Sequence, residues 1–469
     1  MDKSIPDFAT PFATELAQLR LTPPNPMLSK LCDSCQNILS QGIGNISWPG
    51  QLACKLCQII SQLAEQRYCS QLHITRSEAY LLLLREWLAD CDLNHRNHAN
   101  LSLADPELPT RVLDVRDRTM LHLRCTKGER GKYIALSHCW GKATTFSTSW
   151  ENLSEFCKEI KLCQLPKTFQ DTVEVTQELG IPFLWIDSLC IIQNDPDDWE
   201  RESRRMETVF ASAYCTIAAT SPRDCTEGFL CRQSVKRCVR LPNRDINDEF
   251  YVYASSVDES FNHDLENGIP NQRAWVFQER ALSRQTIHFT TAQTYWKCGS
   301  VIRSECLVDS FRELNWLGNS DFPQTASRLR PEISDSMLGD IFAHYSSLGI
   351  TNLQDRPVAI QGLELRLARF YRTNSAYGIL EYFLHRSLLW QRSGNTRMRP
   401  ISFKGKEVPS WSWMAYSGEI RYGVKRDWHR STGTELSGEL ELDTKRRRII
   451  APLAGTLHGC RIEEDTYEL

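Results

Sequence analysis

The sequence predicts an α/β protein whose core is a doubly wound parallel sheet, with an N-terminal Cys-rich module before it and a mixed α+β region after it. Short apolar runs at residues 133–139, 183–192 and 215–219 lack the polar alternation of a half-solvated strand, so they read as strands buried on both faces. Two stretches with helical spacing separate them. Strand, helix, strand, helix, strand with buried strands calls for right-handed crossovers and helices on both faces of the sheet.

Taken in order, the apolar stretch at residues 80–88 suits either a helix or a strand. The run at 133–139 is short and bounded by Gly131 and Gly141. Phe169, Val173, Thr176 and Leu179 recur at helical spacing, and Gly180 with Pro182 supplies the stop. Residues 183–192 form the second strand. Asp195 is then a good N-cap and Pro196 a good first helical residue, and the acidic Asp197, Asp198 and Glu200 suit the positive end of a helix dipole. Trp199, Met206, Phe210 and Ala213 form that helix's buried face. Residues 215–219 make the third strand. From Gln285 the pattern turns to short strands, at 286–289 and 295–296, and after residue 330 a helix near 359–370 mixes with strands around Trp411 and Ile449. No internal repeat is present, which excludes solenoids and propellers. The chain divides on this reading into a Cys-rich and helical region at 1–125, the α/β core at 126–310 and a mixed region at 311–469.

A chain of 469 residues with 41% hydrophobic and 24% charged side chains has the composition of an ordinary globular protein, large enough for two or three packed units. Its 55 basic and 58 acidic residues nearly cancel, so no global field draws it to nucleic acid. The one dense basic run, Lys445 to Arg448, sits between apolar residues and reads as a hairpin flank, with a docking patch as the alternative. Asp2, Asp7 and Glu15 near the start leave no secretory apolar segment, and no apolar stretch reaches the roughly 18 residues of a membrane helix. The expectation is a cytoplasmic protein without a membrane span.

In that setting eighteen cysteines read as reduced thiols plus a metal site. Cys32 and Cys35 form one CxxC pair, and Cys54 and Cys57 a second one eighteen residues later, the two knuckles of a tetrahedral structural zinc site. The alternative makes them small buried hydrophobes on helices with Leu31, Leu56, Ile59 and Ile60.

The ends of the first two strands carry the candidate chemistry, since ligands of doubly wound sheets bind beyond the carboxyl ends of the strands. That places Ser137, His138 and Trp140, together with Asp187 and Gln193, at the rim where a pocket would be. A carboxylate directly after an apolar strand must be paired, hydrogen-bonded or used, and Asp187 reads either as a cap for the following turn or as a functional acid. Glu279 poses the same choice, and Arg273 or Arg280 could neutralise either acid. His138 and Cys139, adjacent at a strand end, point to opposite faces and do not make a thiol–imidazole pair. Trp140 reads as a packing anchor or a stacking wall. Trp411 and Trp413, two apart on a strand, cover the core. No phosphate-binding glycine loop, HExxH or GxSxG is present.

Four blocks carry a family pattern: Ala135-Leu136-Ser137-His138-Cys139-Trp140-Gly141, then Leu184-Trp185-Ile186-Asp187-Ser188-Leu189-Cys190-Ile191-Ile192-Gln193, then Arg273-Ala274-Trp275-Val276-Phe277-Gln278-Glu279-Arg280, and Pro409-Ser410-Trp411-Ser412-Trp413. Together they resemble the heterokaryon-incompatibility (HET) domain proteins of filamentous fungi. Ala274 stands where Gly is usual, Arg284 where Pro is usual, and Lys297 before Cys298 where an acid is common. The resemblance implies a core like that of Toll/interleukin-receptor domains and a role in fungal allorecognition and programmed cell death. It also implies a protein partner or self-association.

Two function classes remain open on this reading. In one the protein is a non-catalytic interaction module, or a death effector acting by association. In the other the sheet rim is an active site, which the Toll/interleukin-receptor likeness suggests attacks the glycosidic bond of a nucleotide such as NAD. Asp187 or Glu279 would then carry the charge and His138 would place substrate or water. Trp140 or Trp275 would stack on a base, with Ser137, Gln193, Arg273, Gln278 and Arg280 as binding groups. A small-molecule biosynthetic enzyme on the same scaffold is a third alternative.

Overall fold

A computed structural model of the protein describes residues 78–94, 105–141, 146–231, 238–242, 249–253, 261–266, 268–299, 301–305, 309–310, 322, 331–383, 387–394, 398–404, 408–422, 441–443, 448–450, 456–457 and 460–461. Cys32, Cys35, Cys54 and Cys57, and with them the zinc expectation, lie outside the described residues.

The first described element settles the ambiguity at residues 80–88 in favour of a helix, α1 (Glu78–Asn94). Tyr80, Leu83, Leu84, Trp87, Leu88 and Cys91 are all buried, at the spacing of one helical face. The strands that follow are β1 (Arg111–Asp114), β2 (Met120–Cys125) and β3 (Tyr133–Ser137), then β4 (Ile160–Lys161) after a single-turn helix, α2 (Leu153–Phe156). Next come α3 (Lys167–Glu178), β5 (Phe183–Trp185), the one-turn α4 (Asp187–Cys190), α5 (Pro196–Ser212) and β6 (Cys215–Ala218). A side hairpin pairs β7 (Cys238–Pro242) with β8 (Glu249–Tyr253). The short α6 (Phe261–Glu266) leads to α7 (Ala274–Leu282), the strands β9 (Gln285–Phe289), β10 (Thr294–Cys298), β11 (Ile302–Ser304) and β12 (Asp309–Ser310), and the helices α8 (Pro331–Ser347) and α9 (Val358–Tyr371).

Ten strands form one sheet in the order β12-β11-β10-β9-β6-β3-β5-β1-β2-β4. The four central strands, β5, β3, β6 and β9, are parallel. On either side the pairing is antiparallel, from β5 outward through β1, β2 and β4, and from β9 outward through β10 to β12. The expected parallel sheet is therefore confined to its centre and the sheet as a whole is mixed. The reason is connection length, since the few residues between β1 and β2 or between β9 and β10 permit only antiparallel pairing.

Alternate residues of each central strand feed two separate cores. Tyr133 and Ala135 pack with residues of α5, α7, α8 and α9 on one face, whereas Ile134 and Leu136 pack with α1 and α3 on the other. Both faces are covered, as expected for a doubly wound core. Within the centre the chain starts at β3, steps to β5 on one side, and crosses through α5 to β6 on the other. The crevice between the carboxyl ends of β3 and β6 is thus the switch point where ligands of such sheets bind.

Three local expectations are corrected. The second strand ends at Trp185, because at Asp187 the chain turns into α4. Its carboxylate accepts from Ser188 N at 2.7 Å, and the carbonyls of Leu189 and Cys190 are taken by Thr148 Oγ1 at 2.6 Å and Arg111 Nε at 2.7 Å. Trp413 opens a short 3₁₀ turn rather than continuing a strand, because Ser412 Oγ accepts from Met414 N. Both tryptophans of that block nonetheless cover the core, Trp413 between Phe342, Tyr345 and the Arg356 guanidinium. Finally, β3 stops at Ser137 instead of running to Cys139. The strand Arg448–Ile450 pairs antiparallel with Glu441–Asp443, so the basic run does lead into a hairpin strand.

Candidate functional site

The rim of the parallel centre is built from three chain segments. The first is the end of β3. Ser137 and His138 are buried, and each keeps a polar atom, Ser137 Oγ and His138 Nε2, with no hydrogen-bond partner. The His138 ring meets the Phe169 ring of α3 edge-on at a centroid separation of 5.0 Å. Two residues on, Trp140 donates its indole Nε1–H to Asp187 Oδ2 at 2.7 Å. Gly141 then takes a φ of +83°, and a Cβ there would collide with Asp224, so only glycine lets the chain leave the rim this way.

The second segment is the turn after β5. Asp187 sits at the start of α4 with its side chain 22% exposed, and its Oδ1 lies 3.8 Å from His138 Nδ1. Gln193 Nε2 reaches back to the main-chain oxygens of Asp187 at 3.2 Å and Ile191 at 3.0 Å. The turn is pinned from below by a buried ion pair. Asp198 in the first turn of α5 accepts from Ile192 N at 2.8 Å and from Arg111, whose guanidinium also holds the Cys190 carbonyl. Asp195 caps the same helix by accepting from Asp197 N and Asp198 N, as its sequence position implies.

The third segment is α7 and the residue before it. Arg273 Nη1 donates to the main-chain carbonyl of His138 at 3.1 Å. Glu279, on the face of α7 toward the sheet, is 6% exposed, and its Oε2 has no hydrogen-bond partner. Burial first, and then the charge of Asp187, push the Glu279 carboxyl up to about 8. The nearby Ser137 hydroxyl and the Arg273 charge pull the other way without cancelling the shift, and the hydroxyl makes no hydrogen bond of good geometry. Burial likewise lowers His138 below the usual imidazole value, with Asp187 opposing that shift and Arg273 adding to it. Near neutral pH the rim thus holds a protonated carboxylic acid beside a neutral imidazole.

Ser137, His138, Trp140, Asp187, Gln193, Arg273 and Glu279 therefore come together, the first five from the ends of β3 and β5 and the turns after them, the last two from the start and the sheet-facing side of α7. The other residues singled out in the third block lie elsewhere. Gln278 Oε1 accepts from Gly362 N at 2.7 Å at the contact between α7 and α9, where a Cβ on Gly362 would press against that oxygen. Arg280 Nη1 donates to Asn271 Oδ1 at 3.2 Å and lies beside His288. Trp275 turns toward α5, edge-on to Trp199 at 6.4 Å, and its indole lies close enough to the Asp355 carboxyl to oppose the rise that burial causes there. Neither Arg273 nor Arg280 forms an ion pair with Asp187 or Glu279, so the arginine–carboxylate bridge weighed for these blocks is not what holds them.

Residues 133–279 match the family model described as "Heterokaryon incompatibility protein (HET)". The chain carries a HET domain. The match begins at the first residue of β3 and ends on Glu279, so the HET segment contains every residue of the converged rim. No curated protein and no solved structure matches the chain. Among the described residues no cluster of His, Cys, Asp and Glu has the makings of a metal site, and no helix is long and apolar enough to cross a membrane.

Two contributors to the surroundings of the HET rim escape the sequence reading. Asp355 and Asn352 approach the Gln193 turn from the segment before α9, and nothing in the local sequence links them to residues some 160 positions earlier. Their signal is purely tertiary.

Proposed function

We infer that the rim of the HET domain is an active site that hydrolyses the N-glycosidic bond of a nucleotide, an NAD-like dinucleotide being the candidate substrate. The observation that carries this reading is Glu279, a buried, unpaired carboxyl pushed up to about 8 and set against a second carboxylate, Asp187. A buried carboxyl held protonated beside a second acid marks a site where the two can take separate roles. Carboxyl pairs of this kind serve glycoside cleavage, where positive charge develops on the sugar.

In this mechanism Asp187 faces the sugar carbon and stabilises its oxocarbenium-like charge as the bond to the base breaks. The Trp140 indole and the Ser188 amide hold that carboxylate in place. Protonated Glu279 donates a hydrogen bond or its proton to the departing side, according to whether the base leaves neutral or needs protonation. His138, neutral and with Nε2 unpartnered, holds the attacking water or a sugar hydroxyl. Water adds to the sugar carbon, its proton passes to solvent or to the site, and base and sugar part.

The biological role proposed is that of an effector in fungal self/non-self recognition and cell death, with base release as the toxic step. The Toll/interleukin-receptor likeness of the core belongs to the same proposal and is supported by the central strand order β5-β3-β6-β9, which follows the flavodoxin-like rule. The test is to incubate purified protein with a panel of nucleotides and follow free base by chromatography between pH 5 and 9. Release that declines as pH rises through about 8 supports the reading. Absence of release from every nucleotide ends it.

A further inference from the structure

Beside the rim lies an open cleft of about 370 Å³ lined by Gln193, Asn194, Pro196, Trp199, Asn352 and Asp355. That volume is within the range of small-molecule sites. Two links tie it to the carboxyl pair. Gln193 lines the cleft while its Nε2 holds the main-chain oxygen of Asp187. Trp275, which supports the cleft wall, is four residues from Glu279 on α7 and so lies on the same side of that helix.

The polar groups of the cleft are not equally free. Asn194 is committed to Glu151 through its amide and to Trp150 N through its oxygen, and Asn352 donates to Asp355 Oδ1 at 2.8 Å and accepts from Gln354 N. Gln193 donates twice through Nε2, and its Oε1 accepts nothing. Asp355 accepts from Asn352 through Oδ1 and has the Trp275 indole near its carboxyl, which leaves carboxylate lone pairs to spare. The half-buried Trp199 ring is braced edge-on by Trp275. What remains available is one flat aromatic wall and two hydrogen-bond acceptors, with no unused cation.

We propose that this cleft is the base-binding subsite of the same active site, taking an adenine-type ring flat against Trp199 with its exocyclic amine donating to Asp355 and Gln193 Oε1. The proposal rests on the nucleotide-hydrolase reading for its biological sense, but the subsite is a binding site in its own right. A base with an exocyclic amine fits the surplus of acceptors. A ring bearing only carbonyl groups would leave them unpaired and set its own oxygens against the Asp355 carboxylate.

The test uses the full chain and binding alone, with AMP, UMP and ribose 5-phosphate titrated by calorimetry. AMP is expected to bind at least tenfold more tightly than UMP or ribose 5-phosphate. Trp199→Ala and Asp355→Asn should each weaken AMP about tenfold, within the range of a lost base–aromatic stack. Trp199→Phe keeps a ring and its packing, so it should lose less and serves if the alanine variant folds poorly. Equal binding of ribose 5-phosphate and AMP would overturn the proposal, as would AMP binding that ignores both Trp199→Phe and Asp355→Asn. Base release with a KM untouched by these variants would remove the subsite and leave the hydrolase standing. Specific AMP binding without release from any nucleotide would do the reverse.

Discussion

Arg273 donates to the main-chain carbonyl of His138 at 3.1 Å and to neither acid of the rim, and Glu279 is thereby left as a buried carboxyl with no ion-pair partner. An arginine bridge to either acid would have made that acid a structural ion. Instead the guanidinium ties α7 to the end of β3, and the proton affinity of Glu279 rises.

The first consequence concerns stability against pH. The Glu279 carboxyl is raised from 4.5 to about 8 on folding, so between those values the folded state binds more protons than the unfolded state. Stability then falls as pH rises through that window, by at most about 5 kcal/mol from this group. Glu279→Gln removes the contribution. Melting curves from pH 5 to 9 should show a decline in the wild-type protein that is flatter in the variant, and the variant should be the more stable at pH 8. Parallel curves for the two proteins would mean that Glu279 titrates normally.

The second concerns the turn that presents Asp187. Arg111 and Asp198 are both buried and together hold the Cys190 carbonyl and the Ile192 amide. Asp198→Ala strands the Arg111 charge, which costs about 3 to 5 kcal/mol. Denaturant titration should find a loss of that size. A change below about 1 kcal/mol would show that the pair does not pin the turn.

The third concerns Trp140, whose indole N–H meets Asp187 Oδ2. Trp140→Phe keeps the ring but drops the donor, at a stability cost of about 1 kcal/mol. Base release should fall about tenfold with little change in melting temperature. Unaltered turnover would assign Trp140 to packing.

Much of this arrangement was legible in the sequence and some was not. That Ser137 and Asp187 stand at the rim was visible because apolar runs meet polar residues there. The same pattern carries both strands too far, to Cys139 and Ile192, since an apolar run looks alike in a strand and in the buried turn that follows it. The caps at Asp195 and Pro196 were visible because they act within one turn. Gln278 could not be separated from Glu279 by sequence, since the two differ only in which side of a nine-residue helix they occupy, and that is fixed by where α9 packs. The antiparallel flanks of the sheet were missed because pairing direction depends on which distant strands meet. Asp355 was missed for the same reason.

The spacing of Cys32, Cys35, Cys54 and Cys57 supports a further proposal, a structural zinc in the N-terminal region. Metal analysis of purified protein should find about one equivalent, and replacing any one cysteine should destabilise that region, because metal binding there is part of folding. Four freely titrating thiols with no bound metal would dismiss the site.

The central claim, that Asp187 and Glu279 act on a glycosidic bond, is tested most directly by measuring base release and melting temperature together for wild type, Asp187→Asn and Glu279→Gln. The account predicts that both variants fold, with melting temperatures near or above that of wild type at pH 8 for Glu279→Gln, while release falls at least a hundredfold in each. If both variants melt early, and the activity per folded molecule equals that of wild type, the two acids are structural and the catalytic assignment is wrong.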